Sequence, residues 1–215
     1  MSRNNFGQAC NCSILACATS TIPSEDTMAK KRIILAITGA SGTIYATSLI
    51  KALADNDDVD LHVIVSEAAK KVLSLETDLS PDALTIDAVT SHAPDDIAAP
   101  PASGSWLHDG MIICPCSMAT LSAVASGFGH NLIHRAADVT LKERRKLILV
   151  PRETPLSSIH LKNMLTADRA GAVILPACPG FYHRPETIED LADQLAGKIL
   201  DQLDIAHTLY ARWGD

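Results

Sequence analysis

Hydrophobic and polar positions along the chain switch repeatedly between two periods. Residues 32–38 (RIILAIT) form a short run rich in β-branched residues, the pattern of a strand. The run ends in Gly39-Ala-Ser-Gly42, and apolar residues then recur at helical spacing over 44–53. Residues 59–65 repeat the strand signal and 67–75 the helix, which predicts a βαβα opening and a parallel, doubly wound sheet. The polar, Pro-rich stretch 78–109 reads partly as loop, and long loops in compact domains are usually functional. Beyond it the pattern predicts strands at 111–114, 146–150 and 172–175, and helices at 117–127, 131–145, 157–167 and 187–203. The expected fold is therefore α/β, a doubly wound parallel sheet with helices on both faces.

Composition narrows this picture. A chain of 215 residues suits one large domain. No apolar run approaches the roughly 18 residues of a membrane span, so no membrane is expected. A formal charge of −7 argues against non-specific nucleic-acid binding, so any phosphate site must be a local basic pocket. The six cysteines show no C-x-x-C pair, and reduced thiols in a cytoplasm are the expectation. Residues 1–30 carry neither period and are expected to be a disordered extension preceding a domain at 31–215. A secretory signal and a true start at Met28 are the other readings of that leader.

Candidate chemistry gathers where strands end. Small or hydroxyl residues follow the first three predicted strands: Gly39, Ala40 and Ser41; then Ser66; then Ser117, Met118, Ala119 and Thr120. In an open α/β sheet these ends share one crevice, where helix N-termini and backbone N–H groups favour an anion. A lone Gly-x-x-Gly marks a tight turn whatever it binds, but three such turns together favour a ligand. Arg152 and Glu153 follow the fourth strand, either as a surface ion pair or as a phosphate or flavin-carbonyl contact. Tyr182 sits in a rigid Pro/Gly loop, where alone it would read as a packed aromatic. The basic run 142–146 is either a solvated helix end or a phosphate contact. Cys114-Pro-Cys116 reads as buried strand-end cysteine in preference to zinc, and His160 as structural.

Taken in order, several segments resemble the UbiX-type flavin prenyltransferases, and the resemblance runs from about residue 31 to the C-terminus. They are Thr38-Gly-Ala-Ser-Gly42, Ala99-Pro-Pro-Ala-Ser-Gly-Ser105, Cys114-Pro-Cys-Ser-Met118, Asn131 through Asp138, Leu141-Lys-Glu-Arg-Arg145, Pro151-Arg-Glu-Thr-Pro155 and Pro179-Gly-Phe-Tyr182. The resemblance implies a flavodoxin-like, Rossmann-like three-layer α/β/α fold assembled as a homododecamer with FMN at subunit interfaces, dimethylallyl monophosphate as donor, no metal, and a UbiD-type decarboxylase as recipient of the product. By position it implies that Gly39, Ala40, Ser41, Ser66, Ser117, Met118, Ala119, Thr120 and Arg152 bind FMN. Tyr182, Lys198, Lys142, Arg152 and Glu153 would hold the donor, with Arg135 supporting the phosphate sites across an interface. Ser41, Glu76 and Glu153 would be catalytic.

One departure stands out: some members have an aromatic residue ahead of the Ala-Pro-Pro segment, where this chain has Ile97. Two rival readings remain at this point. A flavin-dependent decarboxylase needs a histidine near the flavin, and the glycine turns contain none. An FMN carrier would need the flavin turns but not Lys142, Glu153, Tyr182 and Lys198 together.

Overall fold

The computed structural model describes residues 29–86, 89–212 and 214, so the expected leader lies almost wholly outside the described residues. The strands are β1 (Lys31–Ile37), β2 (Val59–Val65), β3 (Thr90–His92), β4 (Gly110–Cys116), β5 (Lys146–Pro151) and β6 (Ala172–Ile174). The helices are α1 (Thr43–Ala54), α2 (Glu67–Glu76), α3 (Met118–Ser126), α4 (Leu132–Lys142), α5 (Ser158–Arg169) and α6 (Ile188–Gln202). All sheet pairings are parallel, in the order β3-β2-β1-β4-β5-β6. With the short edge strand β3 the order is that of the Rossmann fold; without it the remaining five strands follow the flavodoxin order.

Each central strand is buried on both faces, which explains the unbroken apolar runs. Ile33, Leu35, Ile37, Val63 and Val65 pack with α1, α2 and α6 on one side. Ile34, Ala36, Ile64, Met111 and Ile113 pack with α3, α4 and α5 on the other. Cys114 belongs to the first core and Cys116 to the second, so the two thiols face opposite sides of the sheet. Burial raises both thiol pKa values, that of Cys116 to about 12, as expected for inert core cysteines.

The structure corrects the predicted strand set by one. β3 lies within the stretch read partly as loop, because three polar residues on an exposed edge carry no hydrophobic signal. The rest of that stretch includes two short 3₁₀ turns, Pro81–Leu84 and Pro100–Ala102, the second packed along α4. Helix starts follow side-chain caps: Ser66, Ser117, Asn131, Ser157 and Thr187 each accept a backbone N–H from the first turn. His160 completes a capping box with Ser157, the structural role expected of it.

Candidate functional site

β1 is flanked by β2 and β4, whose connections leave it in opposite directions, so a crevice opens beyond its C-terminal end. Thr38, buried at that point, binds the two sides together. Its hydroxyl donates to the Pro115 carbonyl at 2.8 Å and accepts the Ser117 N–H at 2.8 Å. Ser117 in turn caps α3, accepting the Thr120 N–H at 3.2 Å and donating to the Thr120 hydroxyl at 3.0 Å. Thr38 thus sets the start of α3, where Met118 and Ala119 carry the orphan N–H groups common to every helix N-terminus. Gly39 meets α2 closely: a Cβ there would lie 2.5 Å from the Ala68 Cβ.

α1 starts differently from the other helices. Its N-cap is Gly42 at φ 108°, with no side-chain cap of its own. Glu76, at the far end of α2, supplies one. Its carboxylate accepts the Gly42 N–H at 3.0 Å, and the Thr43 N–H and hydroxyl at 2.9 and 2.8 Å. Burial pushes the Glu76 carboxyl upward, but hydrogen bonds from Ser41, Thr43 and Gly42 outweigh it and hold the group below its ordinary value. An ionised carboxylate therefore occupies the α1 N-terminus, and the anion-binding role of the crevice falls to the 39–41 turn and the starts of α2 and α3.

That arrangement carries an expected result. A group with a depressed folded pKa stabilises fully above its unfolded value and loses that contribution as pH falls through the folded one. Glu76→Gln should cost about 1 kcal/mol at neutral pH, less than a buried charge-assisted bond because solvent screens it. Urea melts of variant and wild type should converge as pH drops below the ordinary Glu value of 4.5. A constant gap down to low pH would mean that Glu76 does not cap α1 as a carboxylate.

Arg152, at the exit of β5, donates through Nε to the Ser41 carbonyl at 3.1 Å, so the sequence-predicted flavin turn and arginine are in direct contact. Glu153 is exposed beside it and accepts the Thr154 N–H at 3.0 Å. Tyr45 is a neighbour that sequence reasoning missed. Burial raises its pKa, Cys114 and Cys178 add to the effect, and Arg152 opposes it. A phenol one turn into α1 had no sequence signal beyond its distance from Gly42.

The residues expected to hold the donor are not all gathered within one chain. Tyr182 and Lys198 line a cavity of about 590 Å³ together with Gly180, His183, Gln194 and residues of the C-terminal segment. Lys142 ends α4, paired with Glu143, just before β5 begins, whereas Arg152 follows the end of β5. A six-residue strand puts about 20 Å between those points. Arg135 is exposed near the start of α4, bonded to the Ala102 carbonyl at 3.1 Å and to Asp138 at 2.7 Å. Ile97 is 69% exposed and lines no cavity with Tyr182 and Lys198. Among the described residues no group of His, Cys, Asp or Glu side chains is placed to hold a metal ion, and no helix is long and apolar enough to cross a membrane.

The crevice suits a flavin mononucleotide: a close glycine turn, two serine-capped helix starts for a phosphate, and an arginine fixed at its rim. Fold and site define a flavoprotein, and the chain belongs to the Flavoprotein family, whose model matches residues 21–214. Its relatives narrow this to the flavin prenyltransferases. It is 51% identical to flavin prenyltransferase LpdB of Lactiplantibacillus plantarum over 183 residues, 85% of this chain and 98% of that one. Among solved structures, a dodecameric FMN-dependent UbiX-like decarboxylase from Escherichia coli O157:H7 superposes with TM-score 0.82 at 43% identity, covering 86% of this chain and 100% of that one. AnUbiX (PadA1) in complex with FMN and dimethylallyl pyrophosphate gives TM-score 0.80 at 45% identity, covering 86% and 98%.

Proposed function

We propose that this protein transfers a dimethylallyl group from dimethylallyl monophosphate to N5 and C6 of reduced FMN, and that a UbiD-type decarboxylase receives the prenylated product. The observation that carries the reading is the Arg152 bond to the Ser41 carbonyl, which fixes a cation against the flavin turn. The FMN and dimethylallyl pyrophosphate in the AnUbiX structure, at 45% identity, support both ligands as classes. Bound reduced FMN supplies the electron-rich positions that take the allylic carbon.

The residues divide the remaining work. Gly39, Ala40, Ser41, Ser66 and Ser117 to Thr120 hold the FMN phosphate and ring edge. Lys142, Arg152, Lys198 and Tyr182 hold the donor phosphate. When the allylic C–O bond breaks, its electron pair leaves with phosphate, and fixed positive charge at that oxygen lowers the barrier. Glu153 gives the departing phosphate a proton. Ser41, in contact with Glu76, would move the protons: N5 and C6 would each release one as their bonds to the prenyl group form, the prenyl alkene would take one up on ring closure, and the net proton would leave with phosphate.

The assembly is a homododecamer like the one described for the Escherichia coli relative. The separation of Lys142 from Arg152 within one chain supports a site completed by neighbouring subunits. So does the exposure of Ile159, Leu161 and Leu165 on α5 and of Phe128 and Phe181.

Purified protein given FMN, a reductant and dimethylallyl monophosphate without oxygen should yield a flavin heavier by one C5 unit on mass spectrometry. Bound flavin of unchanged mass would overturn the transferase reading in favour of an FMN carrier. A decarboxylase reading has the name of the Escherichia coli relative behind it. The 38–42, Ser66 and Ser117–Thr120 turns contain no histidine, and release of CO2 from an aromatic acid without added donor would be its signature.

A further inference from the structure

Past α6 the chain doubles back along that helix, and one carboxylate receives it. Asp201 Oδ2 accepts the Tyr210 hydroxyl at 2.8 Å, and Oδ1 accepts Arg212 Nη2 at 2.6 Å. The buried ring of His207 places Nε2 3.2 Å from the same Oδ1. One turn earlier on α6, Lys198 Nζ stands 4.0 Å from Asp201 Oδ2 and 5.8 Å from the centroid of the Tyr210 ring.

The seat beneath this segment is shaped for it. Gly197 lies in the interior of α6, where glycine costs a helix about 1 kcal/mol relative to alanine. A Cβ there would fall 2.5 Å from Tyr210 Cε1 and 2.6 Å from His207 Cε1. The helix therefore gives up local stability at a position where the returning chain packs directly on it.

The returning chain is also a wall of the site. Tyr210, Ala211 and Arg212 line the cavity of about 590 Å³ that contains Tyr182, His183 and Lys198. Among the described residues, Lys198 and Arg212 bring positive charge to this cavity, the sign that an anion requires.

We infer that Asp201 is a positioning residue of the donor site, pinning segment 205–212 to α6 so that Tyr210 and Arg212 complete the cavity around Lys198 and Tyr182. The inference rests on the reading of that cavity as the donor-phosphate site. Ionisation keeps the anchor in place over a wide range. Burial opposes the Asp201 charge, but Arg212, Tyr210 and His207 outweigh it and bring the carboxyl down to about 2. Burial and Asp201 push Tyr210 up to about 12. By linkage the Asp201 contribution is complete above its ordinary value of 3.8 and fades as pH falls toward about 2. The Tyr210 contribution is complete below its ordinary 10.0 and fades as pH rises toward about 12.

Asp201→Asn tests this in the full-length, FMN-loaded protein. Calorimetric titration with dimethylallyl monophosphate should show Kd raised about tenfold, the effect of one charge-assisted hydrogen bond. Turnover at saturating donor should stay within about twofold of wild type, and FMN affinity should not change, a split that general destabilisation would not give. Amide hydrogen exchange without donor should quicken at Leu209 and its neighbours while β1 and β4 stay protected. Gly197→Ala, which touches no charge, should quicken the same amides and weaken the same binding. Equal donor affinity in wild type and Asp201→Asn would overturn the inference alone, and so would joint loss of FMN affinity and core protection. A wild type that does not bind the donor would overturn the donor-site reading and the inference with it.

Discussion

A Glu153→Gln enzyme should take up FMN as the wild type does and turn over about 10²–10⁴-fold more slowly, the usual contribution of a positioned general acid. The side chain is exposed at the exit of β5, and it accepts a hydrogen bond from the Thr154 N–H that a glutamine oxygen can still accept. The fold and the Arg152 contact with Ser41 therefore survive the change. What is lost is the proton that the proposed mechanism delivers to the departing phosphate oxygen. Stopped-flow mixing of donor with reduced, FMN-loaded variant, followed by mass analysis of the flavin, separates slow chemistry from failed binding. Full activity in this variant would remove Glu153 from the mechanism.

The alternation of apolar runs and helical spacing located β1, β2, β4, β5, β6 and all six helices, because strands buried on both faces and capped amphipathic helices both write themselves into local sequence. The predicted 131–145 helix was too long: α4 stops at Lys142, and Arg144 turns to φ 56°. β3 escaped because a three-residue polar edge strand is defined only by its partner. The serine caps at Ser66 and Ser117 were legible as small residues after strands, and they stand where the crevice needs them. Three features of the site were not legible. Glu76 reaches α1 across more than thirty residues, Thr38 joins β1 to β4, and Asp201 gathers three side chains from the returning C-terminal segment. Each is a hydrogen bond between residues distant or irregularly spaced in sequence, and no local period encodes it. The resemblance supplied the candidate donor residues, but the single chain places Lys142 and Arg152 at opposite ends of β5, a separation that pattern within one sequence could not reveal.

Arg152→Ala should lower turnover by about 10²–10³-fold, the cost of removing one fixed donor from developing negative charge. Two effects combine. The donor phosphate loses a cation at the moment the C–O bond yields its electrons to oxygen, and the 39–41 turn loses the Nε bond that holds the Ser41 carbonyl. FMN affinity should therefore fall as well, unlike in Glu153→Gln. Arg152→Lys separates the two effects, because lysine keeps the charge but lacks a planar fork that can hold a carbonyl with one nitrogen and phosphate with others. If charge alone matters, Arg152→Lys should recover most of the turnover. The contact with Ser41 predicts the contrary outcome, FMN affinity still weakened and turnover restored only in part, as read by flavin fluorescence titration and product mass. An Arg152→Ala protein with wild-type FMN affinity and turnover would overturn the reading of the β5 exit as the meeting point of flavin and donor.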